Sequence, residues 1–126
     1  MALPTEQSFI DSAQEQLGCQ FPTWLNDRLL QENGGSVWAF DDEWQLYSVL
    51  DNRDSRHLKR SSTTILQETN TAKQWDGFPD NAVVIAGNGT GDLLILLPKD
   101  SHQLGDEVYL WCHDDDDLEL ADIELN

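Results

Sequence analysis

Apolar residues near the start of the chain recur at the three- and four-residue intervals of an amphipathic helix. They are Phe9, Ile10, Ala13 and Leu17. We predict that Thr5 caps this helix and that Gly18 ends it, because a hydroxyl accepts a first-turn N–H and glycine adopts the left-handed backbone of a helix end. A second, short helix is expected to begin at Pro22, which suits a first helical turn, and to end at Asn33-Gly34-Gly35.

The pattern then changes from helical spacing to strands. Aromatic and β-branched residues are frequent over 36–40 and 44–49, and we expect these segments to pair across Asp41-Asp42-Glu43 as a hairpin or tight bend. Residues 51–74 are polar with sparse apolar positions. This composition predicts one or two helices that each expose a face to water.

The last third of the chain contains three continuous apolar runs, at 82–86, 92–97 and 108–111, separated by turns that contain glycine or proline. Such runs are typical of central strands in a meander. After Trp111 apolar and acidic residues alternate roughly, which leaves open an edge strand or a frayed tail. The predicted fold class is α+β, with a central, mostly antiparallel sheet and helices packed on one side.

Acidic residues dominate the composition: the 126 residues include 24 Asp and Glu against 7 Lys and Arg, a formal net charge of −17. A chain this negative is repelled by nucleic acid and by anionic lipid, so we expect neither as a ligand. The 39% of hydrophobic residues still supply a core, and residues 1–126 are expected to form a single domain. The charge favours a basic protein partner, or it serves solubility alone.

No motif in the sequence assembles a catalytic or metal site. Cys19 and Cys112 lie far apart, and the three histidines fall in three separate segments. The glycine-rich loop 87–92 lacks the lysine of a phosphate-binding loop, and the aspartate run 114–117 lacks the ligand spacing of a calcium loop. We therefore expect no enzyme activity, no metal and no cofactor. The chain start has no signal-peptide pattern, which predicts a cytoplasmic location.

Several short motifs occur in a recognisable order along the chain. They are Leu17-Gly18, Phe21-Pro22, Trp24-Leu25, Leu29-Leu30, Asn33-Gly34-Gly35, Phe78-Pro79, Ile85-Ala86, Gly91-Asp92 and Val108-Tyr109-Leu110-Trp111-Cys112-His113-Asp114. In this order the chain resembles the SUKH superfamily, the SMI/KNR-like domain. Family members usually have leucine where Phe21 stands, and they commonly continue with a helix after the last motif.

The resemblance implies a binding role. Bacterial members are similar to immunity proteins that neutralise toxins, often nucleases, of polymorphic or contact-dependent systems, and fungal members are regulatory scaffolds in cell-wall synthesis. We expect an immunity protein, a monomer or weak dimer, that binds a basic, nuclease-like toxin; the alternative is a regulatory or scaffold module with another partner. The expected partner-binding residues are acidic or aromatic: Asp41, Asp42, Glu43, Trp44, Trp111, Asp114, Asp115, Asp116 and Asp117. The aromatic residues among them serve either as anchors or as core, depending on exposure.

Overall fold

The computed structural model describes residues 3–112 and 115–125, and only the backbone of residues 115–117 and 124–125. The helices are α1 (Gln7–Leu17), α2 (Thr23–Gln31), α3 (Ser55–Arg60) and α4 (Ile65–Ala72). The strands are β1 (Ser36–Ala39), β2 (Asp42–Leu46), β3 (Val83–Gly87), β4 (Asp92–Pro98), β5 (Leu104–Cys112), β6 (Asp115–Ala121) and β7 (Glu124–Leu125). The predicted helices and the predicted meander are therefore confirmed.

The ends of the helices follow local chemistry with one exception. Gly18 ends α1 with a left-handed φ of 79°, as expected, and its N–H donates to the carbonyls of Gln14 and Glu15. The prediction that Thr5 caps α1 is wrong. Glu6 is the N-cap and makes no side-chain cap bond, whereas the Thr5 hydroxyl donates to Asp51 Oδ2 over 2.8 Å. A buried carboxylate is the stronger acceptor, so the tertiary contact takes the hydroxyl away from the helix end.

The seven strands form one sheet in the order β6-β5-β4-β3-β2-β1-β7, and every neighbouring pair is antiparallel. The β1–β2 hairpin turns through Phe40 and Asp41, which both have positive φ, 53° and 58°. Two such residues form the tight turn whose twist suits a hairpin. The turn is thus shorter than the predicted acidic bend, and Asp42 and Glu43 belong to β2.

Both faces of the sheet contribute to the core, and the larger apolar row lies on the face toward α1 and α2. Cross-strand partners and their alternation place a buried apolar row on this face: Val37, Trp44, Leu46, Ala86, Leu94, Leu96 and Val108. The same core cluster includes Ile10, Leu25 and Leu29 from α1 and α2, all with no exposed surface. Register puts Trp38, Glu43, Gly87, Trp111 and Leu118 on the opposite side, which we name the Trp38 face.

The sheet must curl until its two edges are near each other. β6 and β7 occupy opposite ends of the strand order, yet only Asp122 and Ile123 separate them in the chain. Three residue steps reach at most about 11 Å, so the end of β6 lies close to the start of β7. The α+β class with a mostly antiparallel sheet is confirmed. Strands follow the last motif where family members commonly have a helix.

Candidate partner-binding surface

The middle of the Trp38 face is covered by α4 and the segment that follows it. The Thr69 hydroxyl oxygen on α4 accepts the N–H of Val84 over 2.9 Å, beside a register shift between β3 and β4. After the helix, Trp75 stacks on Trp111 with centroids 5.7 Å apart, and Phe78 meets the same ring edge-on at 5.1 Å. These contacts cover Trp111 on the Trp38 face.

The two predicted aromatic anchors lie in the core. Trp111 is 1% exposed beneath Trp75, and Trp44 is 2% exposed. The indole N–H of Trp44 donates to the carbonyl of Ala39 over 2.9 Å, which pins the end of β1 to β2. Neither ring is available to a partner in this arrangement, so both tryptophans are core residues and not anchors. Their contribution is to hold the neighbouring surface residues in place.

The predicted acidic residues at the first hairpin are exposed and stand beside two exposed aromatic rings. Trp38 and Phe40 each keep 43% of their surface, and Asp41, Asp42 and Glu43 are all exposed. We name residues 38–43 the acidic hairpin. Trp38 and Phe40 were not predicted as site residues, and the structure separates Trp38 from its buried neighbours Val37 and Ala39 by the alternation of the strand.

The acidic hairpin is braced by the β3–β4 turn. One carboxylate oxygen of Asp42 accepts the N–H of Glu43 over 2.8 Å, and the other accepts the side-chain amide of Asn88 over 3.3 Å. Among the described residues, no lysine or arginine pairs with Asp41, Asp42 or Glu43. Their charges therefore remain available to a cationic group from outside.

A groove of about 460 Å³ runs from the acidic hairpin to α4. Its lining residues are Gly35, Ser36, Glu43, Gln45, Tyr47, Thr63, Glu68, Gly87, Asn88 and Gly89. Burial, together with the charge of the adjacent Glu68 and a hydrogen bond from the phenol to it, raises the pKa of Tyr47 to about 12. Tyr47 is thus a neutral donor, and the groove has two carboxylates and no cationic lining residue. Such a groove suits a lysine or arginine side chain.

One basic residue, Arg53, is held by acidic partners away from the groove. Arg53 bonds Asp51 through both Nε and Nη2 and reaches Glu6 at 3.3 Å. Burial alone would raise the pKa of Asp51, but hydrogen bonds from Arg53 and Thr5 outweigh it and hold that pKa below its usual value. Arg60 lines a cavity of about 70 Å³ that shares Gly35, Gln45 and Thr63 with the groove. The lining of the groove itself contains Glu43 and Glu68 and no lysine or arginine.

The second predicted acidic region is described only in part. His113 and Asp114 lie outside the described residues, and Asp115, Asp116 and Asp117 belong to β6 without a description of their side chains. Farther along β6, Leu118 and Leu120 are 39% and 57% exposed. These two leucines were missed as site residues because an alternating segment beside an acidic run was equally consistent with a frayed tail.

The described residues contain no cluster of three or more His, Cys, Asp or Glu side chains arranged to hold a metal ion. In the same part of the chain, every helix is too short or too polar to cross a bilayer. The described residues form a curled antiparallel sheet with an exposed acidic and aromatic hairpin and two exposed leucines on β6.

These features define an α+β domain with an exposed acidic and aromatic surface at its first hairpin. The chain belongs to the SMI1 / KNR4 family (SUKH-1), because the model of that family matches residues 4–122. Members of this family are generally non-enzymatic domains that bind partner proteins. No curated protein and no solved structure matched the chain.

Proposed function

We propose that this protein is a cytoplasmic, single-domain immunity protein that binds and neutralises a cognate basic, nuclease-like toxin of a polymorphic or contact-dependent system. The observation that carries the proposal is the acidic hairpin, where three exposed carboxylates flank two exposed aromatic rings. A nuclease holds its substrate with lysine and arginine, and carboxylates on a rigid hairpin compete for those same groups.

Charge and apolar area contribute in different ways. The net charge of −17 attracts a basic partner over long range and accelerates association, an effect that salt weakens. Trp38 and Phe40 together offer about 180 Å² of exposed surface on the usual area of aromatic side chains, and burying it contributes roughly 4 kcal/mol before the costs of association. We therefore expect carboxylates to set the association rate and the two rings to set the lifetime of the complex.

The test is affinity capture of the tagged protein from its native cells at low salt, with elution by rising salt. The test variant is D41N/D42N/E43Q. The matched control is E15Q/D27N/D80N, which removes three charges from exposed positions on three different segments. We expect a basic protein to elute from the wild type and the control, and at clearly lower salt or not at all from the hairpin variant.

Neutralisation is then measured directly. The captured protein is expressed in a heterologous host with and without the wild-type chain, and growth is recorded. Growth arrest that the chain relieves supports the immunity proposal. A partner that is harmless, or that binds equally well at every salt concentration, contradicts it and favours a regulatory or scaffold module.

A further inference from the structure

Strand β6 has β5 on one side and, among the described residues, no strand on the other. In an antiparallel pair, alternate residues of an edge strand turn their N–H and C=O groups away from the neighbour. Those groups form a template onto which another extended chain adds. Among the described residues, 118–121 make no backbone hydrogen bond other than those of their pairing with β5.

The sequence of β6 disfavours one obvious occupant of that edge, a second copy of this chain. The strand reads Asp-Asp-Asp-Leu-Glu-Leu-Ala, and two such strands side by side place like charges opposite each other. Each copy also carries a net charge of −17. The same acidic residues complement a strand that contains lysine or arginine. The charge of β6 therefore disfavours pairing with a second copy of this chain and favours pairing with a basic partner.

A groove of about 530 Å³ lies at the C-terminal end of this strand. Its lining is apolar and acidic: Trp24, Val108, Leu120, Ala121 and Ile123 together with Asp106, Glu107 and Asp122. The Trp24 indole N–H donates to the carbonyl of Asp106 over 3.0 Å, which fixes one wall. A lysine or arginine side chain fits this chemistry, because its methylene stem contacts the apolar lining and its charged end reaches the carboxylates.

We propose that β6 receives an extended, basic segment of the partner protein by strand addition. One basic side chain of that segment enters the groove beside Trp24. The inference rests on the proposed function for the identity of the partner. Register places Leu118 on the Trp38 face, with Leu120 two residues on. Glu119 points to the opposite side. The incoming strand therefore alternates apolar side chains beside the leucines with basic ones beside Glu119.

The edge and the acidic hairpin are close enough for one partner to cover both. Glu124, the partner of Trp38 across β1 and β7, is four residue steps from Leu120. Four steps span at most about 14 Å, and a paired strand adds about 5 Å. Trp38 and Leu120 are thus within roughly 20 Å, inside the footprint of a standard protein interface.

The experiment uses the full chain and a synthetic peptide of alternating lysine and valine as the probe. A peptide with the same composition but all lysines grouped before all valines is the control. Affinity is measured by fluorescence anisotropy at low and high salt, and amide hydrogen exchange is followed by NMR. We expect tighter binding of the alternating peptide, and slowed exchange at those amides of 118–121 that face away from β5.

Two proline variants separate pairing from attraction. Successive N–H groups of a strand point to opposite edges, so E119P and L120P differ in which edge they interrupt. The variant whose missing N–H faced β5 loses a bond to that strand and is recognised by its lower stability. The variant whose missing N–H faced away from β5 keeps the fold. We expect this variant to bind the alternating peptide about tenfold more weakly, because one backbone hydrogen bond to the peptide is lost and the register is disturbed.

Equal affinity for the two peptides, or unchanged exchange over 118–121 at saturating alternating peptide, overturns strand addition. Neither result touches the acidic hairpin, which the capture experiment tests through D41N/D42N/E43Q. Loss of capture in that variant, together with unchanged exchange at β6, would leave the proposed function in place and place the partner on the hairpin alone.

Discussion

The bond between α4 and β3 provides a clean measure of how the Trp38 face is supported. Thr69 has no exposed surface, and its hydroxyl oxygen accepts the Val84 N–H beside the register shift in β3. Thr69→Val keeps the shape of the side chain and removes only this acceptor. The Val84 N–H then has neither protein nor water to bond, since Val84 is also fully buried.

An unsatisfied buried N–H costs about 1–3 kcal/mol, and the added apolar methyl offsets part of that cost. We expect Thr69→Val to lower the free energy of unfolding by about 1–2 kcal/mol, which corresponds to a fall in Tm of roughly 4–8 °C for a chain of this size. Urea unfolding measures the free energy, and an unchanged slope with denaturant shows that the compactness of the unfolded state is the same.

Thr69→Ser is the matched control, because it keeps the hydroxyl and loses a methyl group. Its global stability also falls, so the decisive reading is the exchange rate of the Val84 amide relative to its neighbours. Protection is expected to remain in Thr69→Ser and to fall in Thr69→Val. A valine variant within about 0.5 kcal/mol of wild type, with Val84 still protected, would refute the reasoning.

Three further predictions concern buried polar groups. Asp51→Asn should destabilise the protein by about 1–3 kcal/mol at neutral pH. Because the pKa of Asp51 is lowered from 3.8 in the folded state, its contribution is present above that pH and is lost as pH falls, so urea midpoints should fall less steeply with acid in the variant than in the wild type. Tyr47 should ionise only near pH 12 by ultraviolet absorbance, and its contribution to stability, complete below pH 10, should disappear as pH rises from 10 to 12. Gly87→Ala should lower stability by about 1–3 kcal/mol and the Tyr47 pKa with it, because the new Cβ would lie 2.2 Å from the Tyr47 hydroxyl oxygen; an unchanged titration curve would contradict this.

Local patterns were sufficient for most of the elements because each has a local cause. Gly18 ends α1 through its own backbone freedom, and the apolar runs of β3, β4 and β5 are strands because both faces of the central sheet are covered. Thr5 shows where such reasoning ends. Its hydroxyl is a good cap by composition, but its partner Asp51 is distant in sequence and only the tertiary fold brings the two together.

The candidate site was predicted in its charge and missed in its apolar part. The exposed carboxylates of the acidic hairpin follow from composition. Whether each tryptophan is buried depends on which face of its strand it occupies and on what covers that face. Trp44 and Trp38 are both on the first hairpin and differ only in the face they occupy. Trp111 is buried by Trp75, whose position after α4 no local pattern specifies.

The closure of the curled sheet has a consequence for the order of folding. Val37 pairs with Leu125, 88 residues later in the chain, so this contact carries a high loop-closure cost and we expect it to form late. Until then β1 is an open edge in addition to β6, and a collapsed intermediate with two open edges is the kind of species that associates through strand pairing. Mutual repulsion among chains of net charge −17 then acts as a safeguard during refolding. Light scattering during refolding tests this: we expect a clear solution at low salt and transient aggregation at high salt, whereas equal scattering at both would argue that charge has no part in it.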